Sequence, residues 1–548
     1  MGARSLLDES PGAEFLIAAN DTRCGPRSRP RLMQQSTMAW IRHLSVLCLL
    51  SSLSYSFKLR RLETNFGRHS SLNVETASHK TSLEVDSVNS ASQDDQIRKI
   101  LKGRHKWLGG ATDSEGCVYG IPSHSKHVIC LSPTTDGDTL GSSRINLLAL
   151  PSDLTQTNDG NKNRDHQFKW LRGIISGGRL FGIPAWCGLG VLSVDIEGWR
   201  KFRESNPGRR LVDDDEISSE LISVLPLPDS SDGAVPKRWM WHGAAMNKNA
   251  TAIYCVPSNA ERILKVDLLT MATTYIEITP RAGVTLEEHA MLLGRTNKFY
   301  GGILGDDNAV YGMPYAAGSV LRVDCNTDRA ELIGDFGWGK YNFHGGIKAG
   351  HGIYAFPAHS DNVLKINTTT ACDGGDDCSR LSLLPIERAP YDDDTVSRYK
   401  WLGGSMGADG NIYGMPSDAS SVLKIDVESN RVTTFGRIES SRLNEDGSPY
   451  VEKNKWQGGV LARDGFVYAI PSDSQSVLRI DTRPLTEGEQ DFPSRDRVSC
   501  FGDLARTKDK YQGGFAVGDV IYAIPENADE VLRVVPSEQA DKVTICTL

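Results

Sequence analysis

Apolar residues occur along this chain in short runs of roughly four to six, which Gly, Asp and Pro separate. Runs of that length predict β-strands rather than helices. From Lys400 the chain reads KWLGGSMGADGNIYGMP, where two apolar runs flank a Gly/Asp turn, a pattern typical of a β-hairpin. Pro416 ends the second run, since proline cannot donate to a strand ladder. SVLKID (Ser421–Asp426) and RVTTFG (Arg431–Gly436) then predict a third and a fourth strand.

This unit occurs eight times, and we number the copies repeats 1 to 8 in chain order. Each begins at an aromatic anchor before a Gly-containing strand, and the anchors are Trp107, Trp170, Trp241, Phe299, Phe343, Trp401, Trp456 and Tyr511. No helical period of useful length appears inside a unit. Four short antiparallel strands in roughly 40–60 residues are typical of a β-propeller blade. We therefore expect an all-β chain whose residues 101–548 form a β-propeller of eight four-stranded blades, with a seven-bladed ring as the alternative.

The repeated motif KWxGG…IYGIP…SVLKID resembles the repeat of uncharacterised β-propeller proteins from algae and other protists. It is loosely similar to the kelch, NHL and lactonase-type propellers. The resemblance covers about residues 100–548 and implies the propeller architecture, but it implies no activity. The metal-binding acids of the lactonase-type propellers have no matching positions here. We therefore assign no catalytic and no metal-binding residue, and the cofactor is unknown.

Residues 1–56 are interpreted as a leader. From Met38 the chain reads MAWIRHLSVLCLLSSLSYSF, in which Arg42 precedes the apolar core Leu44–Leu53 and small residues precede Phe57. This order is typical of a secretory signal peptide, and it predicts a mature chain that begins near Phe57. The alternative is a short buried apolar segment. Residues 57–100 are rich in Ser, Arg and Asn, and we interpret them as a low-complexity linker or pro-segment.

A signal peptide predicts the secretory pathway or the extracellular space. A plastid is the alternative, because the Arg/Ser-rich stretch from Lys58 to Arg68 makes the leader resemble the two-part presequence of some algae. In the secretory pathway Asn249 and Asn367 are candidate glycosylation sites, since each begins an Asn-x-Thr sequon. Cys372 and Cys378 bracket a short loop, and we expect that an oxidising compartment allows them to form a disulfide.

The composition excludes several classes of protein. Apolar residues make up 39% of the 548 residues and charged residues 24%, which allows a large core. The formal net charge of −8 argues against a nucleic-acid binder that relies on a basic face. No apolar run reaches the roughly 18 residues of a membrane-spanning helix, so we expect no transmembrane segment in the mature chain. The cysteines beyond the leader include no CxxC pair, which argues against a structural zinc site. We expect a monomer.

Two repeated polar positions are expected on one face of the ring, which we call the top face. One precedes the first strand of each repeat and the other follows the second strand, and in an antiparallel meander these two points lie at the same end of the blade. The first is the residue before the anchor, which in six repeats is Lys106, Lys169, Lys298, Lys400, Lys455 or Lys510. Six lysines around a channel mouth would attract an anion. The alternative is a structural role, in which each Lys stem covers an aromatic ring of the next blade and its ammonium stays in water.

The second position lies two residues after the Pro of each repeat. It holds His124 in repeat 1 and His359 in repeat 5, which would face each other across an eight-fold ring, and Asp418 and Asp473 in repeats 6 and 7. Histidine and aspartate side chains in a ring suit a ligand, a metal or proton transfer. The alternative is turn chemistry, since Asp and Asn favour such positions by bonding to backbone groups.

These patterns favour a secreted β-propeller that binds a ligand or a protein through its top face, without evident catalysis. The expected partner is an anionic small molecule, a glycan or a protein. One alternative is a propeller hydrolase or lyase that acts on a sugar-like or anionic substrate, and another is a structural scaffold. A catalytic propeller should break the repeat symmetry with acids or histidines that only a few blades carry, whereas these repeats are mostly alike.

Overall fold

The structure is a computed structural model. It describes residues 93–132, 145–155, 168–185, 190–228, 238–369, 380–390, 392, 396–438, 452–484, 497–537 and 544–547. The predicted signal peptide and the cysteines Cys372 and Cys378 lie outside these residues. Within the described ranges, no helix is both long enough and apolar enough to span a bilayer.

The strands follow one another in sets of four, and each set is an antiparallel meander that corresponds to one sequence repeat. Repeats 1 and 2 contain β1 (Trp107–Thr112), β2 (Val118–Pro122), β3 (His127–Leu131), β4 (Ile145–Ala149), β5 (Trp170–Ser176), β6 (Arg179–Pro184), β7 (Val191–Asp195), β8 (Leu211–Val212) and β9 (Ile222–Leu225). Repeats 3 to 5 contain β10 (Trp241–Met246), β11 (Ala252–Pro257), β12 (Ile263–Asp267), β13 (Thr273–Ile276), β14 (Phe299–Leu304), β15 (Ala309–Pro314), β16 (Val320–Asp324), β17 (Arg329–Ile333), β18 (Phe343–Ala349), β19 (Gly352–Pro357), β20 (Asn362–Asn367) and β21 (Leu381–Glu387). Repeats 6 to 8 contain β22 (Trp401–Met406), β23 (Ile412–Pro416), β24 (Val422–Ile425), β25 (Val432–Phe435), β26 (Trp456–Leu461), β27 (Phe466–Pro471), β28 (Val477–Asp481), β29 (Val498–Phe501), β30 (Tyr511–Val517), β31 (Val520–Pro525), β32 (Leu532–Val535) and β33 (Thr544–Thr547).

The described strands form seven sheets, of which five have four strands each. The eight-stranded sheet joins the meanders of repeats 5 and 6, because Ile386 pairs in parallel with Val432. The five-stranded sheet contains repeat 1 and the short strand β8, which pairs in parallel with β4. The first strands of consecutive repeats contact one another along the chain, and β30 contacts β1. The chain is therefore predominantly β, as predicted, and its first strands form a closed series.

The aromatic anchor of each repeat is buried between neighbouring meanders. Trp170 of repeat 2, for example, packs in one apolar cluster with Tyr119 and Ile121 of repeat 1. The indole N–H of Trp401 donates to the main-chain oxygen of Ser421 at 2.8 Å, just before the third strand. A buried indole needs such an acceptor, because an unpaired N–H in the core is destabilising. One side chain therefore fills the interface and also positions the third strand.

A bulge follows each anchor, at the point where the first strands of neighbouring repeats approach each other most closely. Gly403 has a φ of +82°, and a Cβ there would lie 3.2 Å from the backbone nitrogen of Gly458 in the next repeat. The equivalent residue of repeat 2 is Arg172, which has a φ of +67°. A residue with a side chain is disfavoured in this conformation by about 1–2 kcal/mol. Repeat 2 thus places a guanidinium where the other repeats have glycine.

The described residues also contain four helices: α1 (residues 93–101), which precedes β1, and α2 (Ile196–Ser205), α3 (Asp215–Leu221) and α4 (Leu286–Leu293), which lie between strands. A 3₁₀ turn covers Ser152–Leu154. The expectation that repeats contain no helix is wrong for repeat 2, which inserts α2 and α3 between β7 and β9. Only Ile196 and Trp199 of α2 are buried, so the segment carries too short an apolar period to be recognised. The end of the predicted linker also differs, because α1 buries Ile97 and Leu101.

Candidate functional site

The six lysines before the anchors are buried between neighbouring repeats, and none is more than 5% exposed. Lys455 Nζ donates to the main-chain oxygens of Ser417 at 2.8 Å and Ala419 at 2.9 Å, both in repeat 6. Lys169 Nζ donates in the same way to Ser123 O of repeat 1 at 2.6 Å. The lysines of repeats 1, 2, 4, 6 and 7 all bond to carbonyls of the preceding repeat. The ammonium groups thus hold the start of one repeat against the turn of the previous one.

Both expectations, an anion-binding ring of lysines and a packing role for the lysine stems, placed the ammonium groups in water. In the structure the ammonium groups are buried. Burial lowers the pKa of Lys455 to about 8 and that of Lys169 to about 7. The carbonyl contacts compensate for part of the lost hydration. A role in binding an anion remains a prediction for Lys106, Lys169, Lys298, Lys400, Lys455 and Lys510, and their contacts favour the structural alternative.

The residues immediately before the lysine position form a ring at the top face. We call them the rim residues, and they are His105, Phe168, Trp239, Asn297, Tyr341, Tyr399, Asn454 and Asp509. All of them except Phe168 have a φ between +49° and +57°. Hydrogen bonds hold this left-handed backbone in repeats 1, 3, 4, 6, 7 and 8, where the residue two after the Pro donates its N–H to a rim carbonyl, as Asp418 N does to Tyr399 O at 3.0 Å. Strained backbone repeated at one face is a reason to examine that face for function.

Asp418 and Asp473, two of the predicted site residues, accept hydrogen bonds from the rim of the next repeat. Asn454 N donates to Asp418 Oδ1 at 2.7 Å, and Asp509 N donates to Asp473 Oδ1 at 2.8 Å. The amide side chains at the equivalent positions of repeats 3 and 8 accept the same bond at 2.7 Å. The preference for Asp and Asn at this position is therefore explained in part by hydrogen bonds to backbone N–H groups. These bonds connect one repeat to the next, whereas turn chemistry would place them within a single turn. Both carboxylates remain half-exposed at the rim.

Rings occupy the top face from repeat 1 to repeat 6 in one unbroken series of contacts. We call this series the aromatic arc, and its members are His105, His124, Phe168, Trp239, His242, Tyr300, Tyr315, Tyr341, His344, His359 and Tyr399. The Tyr300 ring stacks between His242 and Tyr315, with centroid distances of 4.1 and 4.2 Å. Tyr341 and Tyr399 are half-buried, so part of each side chain is accessible to solvent.

Carboxylates and amides occupy the rest of the ring. We call this part the polar arc, and its members are Asp418, Asn454, Asp473, Asp509, Glu526 and Asn527. Asn454 Nδ2 donates to Asp509 Oδ1 at 3.0 Å and to Asp473 Oδ1 at 3.2 Å. Burial, followed by the charges of Glu526 and Asp473, raises the pKa of Asp509 to about 8. Asp509 therefore retains a proton at neutral pH, because a further negative charge beside Glu526 and Asp473 is unfavourable.

His124 and His359 both lie in the aromatic arc, but they pack against different neighbours. The His124 ring lies 4.2 Å from Phe168, and the His359 ring lies 4.6 Å from Tyr399. Burial, with smaller effects from His105 and Lys169, lowers the pKa of His124 to about 3, so this imidazole is neutral. Among the described residues, no group of three or more His, Cys, Asp or Glu side chains has the arrangement of a metal site. These two histidines thus extend an aromatic surface.

Sequence reasoning missed the rim residues, although a signal for them exists. The residue before the lysine position is aromatic in repeats 2, 3, 5 and 6 and becomes Asn454 and Asp509 in repeats 7 and 8. That change in character is visible once the repeats are aligned on their anchors. The predicted glycosylation sites are elsewhere: Asn249 is exposed, and the side-chain oxygen of Asn367 accepts a hydrogen bond from Thr369 N at 3.0 Å. Their glycosylation remains a prediction.

Comparisons with known proteins show similarity in structure only. No protein-family model and no curated protein matches the sequence. A structure of streptogramin B lyase is 15% identical with a TM-score of 0.39, covering 67% of this chain and 91% of that one. Virginiamycin B lyase from Staphylococcus aureus is 10% identical with a TM-score of 0.40, covering 66% and 92%. The β-propeller domain of Cps50 (Swd1) from Myceliophteria thermophila is 12% identical with a TM-score of 0.36, covering 57% and 87%. At these values the similarity says nothing about activity.

Proposed function

We propose that the eight repeats close into an eight-bladed β-propeller that binds a ligand at its top face. The closure is supported by contacts between the first and the last repeat. Lys106 Nζ donates to Glu526 O at 2.9 Å and to Ala528 O at 2.8 Å, the same kind of bond that links other neighbouring repeats. Because the link between repeats 8 and 1 is built like the internal ones, each meander counts as one blade.

One observation carries the binding proposal: the rim is divided into an aromatic arc and a polar arc, while the supporting positions stay alike. Anchors, bulges and prolines are needed in every blade for packing, and they recur in nearly every repeat. Packing alone does not explain why the aromatic side chains lie in repeats 1 to 6 and the carboxylates in repeats 6 to 8. A ring with two chemically different parts suits a ligand that also has two different parts.

The ligand that best fits this rim is an organic cation with an apolar body, such as an aryl quaternary ammonium ion. Aromatic faces attract cations, by about 0.5–1 kcal/mol each at exposed sites. The half-exposed carboxylates Asp418 and Asp473 add attraction of the same sign. The ammonium groups of Lys455 and Lys510 interact electrostatically with Asp418 and Asp473, and they offset part of this attraction. An anionic ligand, the expectation from sequence, becomes the competing outcome of the experiment.

A matched pair of probes tests this proposal. Benzyltrimethylammonium and benzenesulfonate have the same ring and opposite charge, and calorimetric titration of the purified chain compares them directly. We expect the cation to bind more tightly, and Asp473→Asn to weaken it about two- to fivefold, since an exposed ion pair contributes up to about 1 kcal/mol. Asn retains the oxygen that caps the next repeat. Asp519→Asn, at an exposed turn away from the rim, is the control. Tighter binding of benzenesulfonate would refute the cation proposal and support the anionic ligand.

Acid–base catalysis is the second candidate, and Asp509 favours it. A carboxyl whose pKa is raised to about 8 can donate a proton at neutral pH, which is the property of a general acid. His105 Nδ1 lies 2.6 Å from Glu526 Oε1, so an imidazole oriented by a carboxylate lies where the aromatic arc meets the polar arc. This version of the function is a hydrolase or lyase. Turnover of an organic ester or glycoside that is lost in Asp509→Asn would identify it.

The proposed compartment is the secretory pathway or the extracellular space. Its support is the pattern that begins at Met38, which lies outside the described residues. The described cysteines Cys117, Cys130, Cys255, Cys325 and Cys500 are free thiols. Cys325 and Cys500 are not buried, so their oxidation state in the native protein is a useful indicator of compartment. Attachment of glycans to Asn249 would support secretion independently.

A further inference from the structure

Repeat 1 departs from an arrangement that other repeats share at the end of the blade opposite the rim. In repeat 4, Tyr311 OH donates to Asp307 Oδ2 at 2.8 Å, and the guanidinium of Arg322 lies 2.9 Å from the same oxygen. Repeat 1 keeps the first part, since Tyr119 OH donates to Asp113 Oδ2 at 3.0 Å. The position of Arg322, on the third strand opposite the tyrosine, is taken by Cys130 in repeat 1.

Helix α2 of repeat 2 supplies the cation that repeat 1 lacks. Arg203 Nη1 donates to Cys130 Sγ at 3.3 Å and to Ser132 Oγ at 2.9 Å. Arg200, one turn earlier, places Nη2 3.5 Å from Asp113 Oδ2. Trp199, next to Arg200 in the chain, is fully buried, which fixes the rotation of the helix. The insertion in repeat 2 thus brings one guanidinium group to the thiol of repeat 1 and a second one to its Asp113 carboxylate.

A second thiol lies on the same face of this hairpin. Cys117 precedes β2 directly, and Cys117, Cys130 and Tyr119 belong to one buried cluster. Interaction with Cys130, reinforced by Arg203, lowers the pKa of Cys117 to about 7, whereas burial raises the pKa of Cys130. The two sulfurs therefore lie in one cluster and differ in acidity, an arrangement that suits thiol–disulfide chemistry.

A cavity of about 730 Å³ gives small molecules access to this pair. Cys117 lines it together with Arg200, Arg203 and Arg210, and Asp94 of α1 pairs with Arg210 at its edge. Cys130 lies behind Cys117 and is fully buried. The Cys117 sulfur is therefore accessible from the cavity, whereas the Cys130 sulfur is not.

We propose that Cys117 and Cys130 are a reversible dithiol–disulfide pair, which a small peroxide oxidises from this cavity. The Cys117 thiolate attacks one peroxide oxygen, the O–O bond breaks, and the departing hydroxide takes a proton, so that Cys117 becomes a sulfenic acid. The Cys130 sulfur then attacks the Cys117 sulfur, the S–O bond breaks, and the Cys130 proton leaves with the hydroxide as water. Two thiols and one hydrogen peroxide thus give one disulfide and two waters, with two electrons passing to the peroxide.

Arg203 has a distinct part in each state of the pair. In the reduced state it donates to Cys130 Sγ and favours negative charge on the two sulfurs. In the disulfide that charge is gone, so the link between α2 and repeat 1 is weakened. Oxidation of the pair is therefore expected to loosen the insertion of repeat 2. This site is separate from the rim, and it does not depend on the proposed ligand.

Differential alkylation of the full chain tests the proposal. Iodoacetamide is added over a pH series, and the rate at each cysteine is read by mass spectrometry of its peptide. We expect Cys117 to react with a midpoint near pH 7, while the buried Cys255, whose pKa burial raises, reacts far more slowly. Arg203→Gln should move the midpoint upward, and a shift of one pKa unit would lower the rate at pH 7 about fivefold. Lys201→Gln, on the exposed side of α2, is the matched control. An unchanged midpoint in Arg203→Gln, or equal rates at Cys117 and Cys255, would overturn the assignment.

A second measurement keeps the proposal testable if a variant folds poorly. One equivalent of hydrogen peroxide added to the unmodified chain should yield a peptide pair linked through Cys117 and Cys130, which dithiothreitol separates. In Cys130→Ser, dimedone should trap the sulfenic acid on Cys117. Absence of the linked peptide refutes the pair, and a dimedone adduct on Cys130 in Cys117→Ser, with none on Cys117 in Cys130→Ser, refutes the order of the two steps.

Discussion

His105 of the first repeat and Glu526 of the last are joined by a 2.6 Å contact between Nδ1 and Oε1. The contact lies at the junction of the aromatic and polar arcs, and also where the chain closes on itself. His105 N adds a 2.7 Å bond to Asn527 Oδ1. Ring closure and the candidate site are therefore made from the same residues, which couples the stability of the ring to the geometry of the rim.

Asp509→Asn should stabilise the protein at alkaline pH. The folded protein raises the pKa of Asp509 to about 8 from the usual 3.8, so between these values the native state binds more protons than the unfolded state, and stability falls as pH rises. Asparagine removes that loss and keeps the oxygen that accepts from Asn454. We expect a gain on the order of a few kcal/mol at pH 9 and little change at pH 3.5, measured by urea unfolding. Asp519→Asn is the control, and equal effects in the two variants would contradict the assignment.

Lys455→Met should destabilise the ring without a change in its fold. Methionine occupies the equivalent position naturally as Met240, so the side chain fits, but the carbonyls of Ser417 and Ala419 lose a donor. We expect a loss of about 2 kcal/mol in the free energy of unfolding. Lys453→Met, at an exposed position two residues earlier, should change stability by less than about 0.5 kcal/mol. If Lys455→Met left stability unchanged and weakened an anionic ligand instead, the structural role would be wrong.

Arg172→Gly should stabilise the protein. The φ of +67° disfavours a residue with a side chain by about 1–2 kcal/mol, and glycine adopts it freely in the other repeats. Part of that gain is offset, because glycine makes the unfolded chain more flexible. We expect a net increase of up to about 1 kcal/mol in urea unfolding, with Arg172→Ala as the control that removes the guanidinium but keeps the strain. If both variants instead lowered the free energy of unfolding, the guanidinium of Arg172 would itself stabilise the protein, and the prediction would be wrong.

The native protein should begin near Phe57 if the pattern after Met38 is a signal peptide. N-terminal sequencing of protein isolated from its source is the direct measurement. Recovery of peptides from residues 1–50 in the mature protein would exclude cleavage there. A new N-terminus well beyond Phe57, within the Arg/Ser-rich stretch, would instead support the plastid alternative.

The sequence predicts the strands well because each depends on local signals that recur. The anchor Trp401, the bulge at Gly403 and the terminating Pro416 have the same partners in nearly every repeat, so the meander follows from the pattern alone. The burial of Lys455 was not predictable in the same way. Lysine is usually exposed, and its burial here depends on carbonyls of another repeat that only the closed arrangement brings near.

The two arcs and the thiol pair were missed for a different reason. Repeats reveal what is shared, whereas Asp509, Cys130 and Arg203 matter because they differ from their counterparts. Arg203 is on a helix of repeat 2 and acts on repeat 1, a contact that no spacing within either repeat indicates. Only the structure shows which deviations from the repeat converge.

The parallel pairings outside the meanders have a consequence for the outer perimeter of the molecule. An outermost strand normally presents a row of unpaired N–H and C=O groups, to which a strand of another chain can add. Strand β8 covers the edge of β4, and β21 and β25 cover part of each other. Repeats 1, 5 and 6 therefore offer less edge to such strand addition, and self-association through the perimeter should favour the blades whose last strands, such as β13 and β29, lack this cover among the described residues.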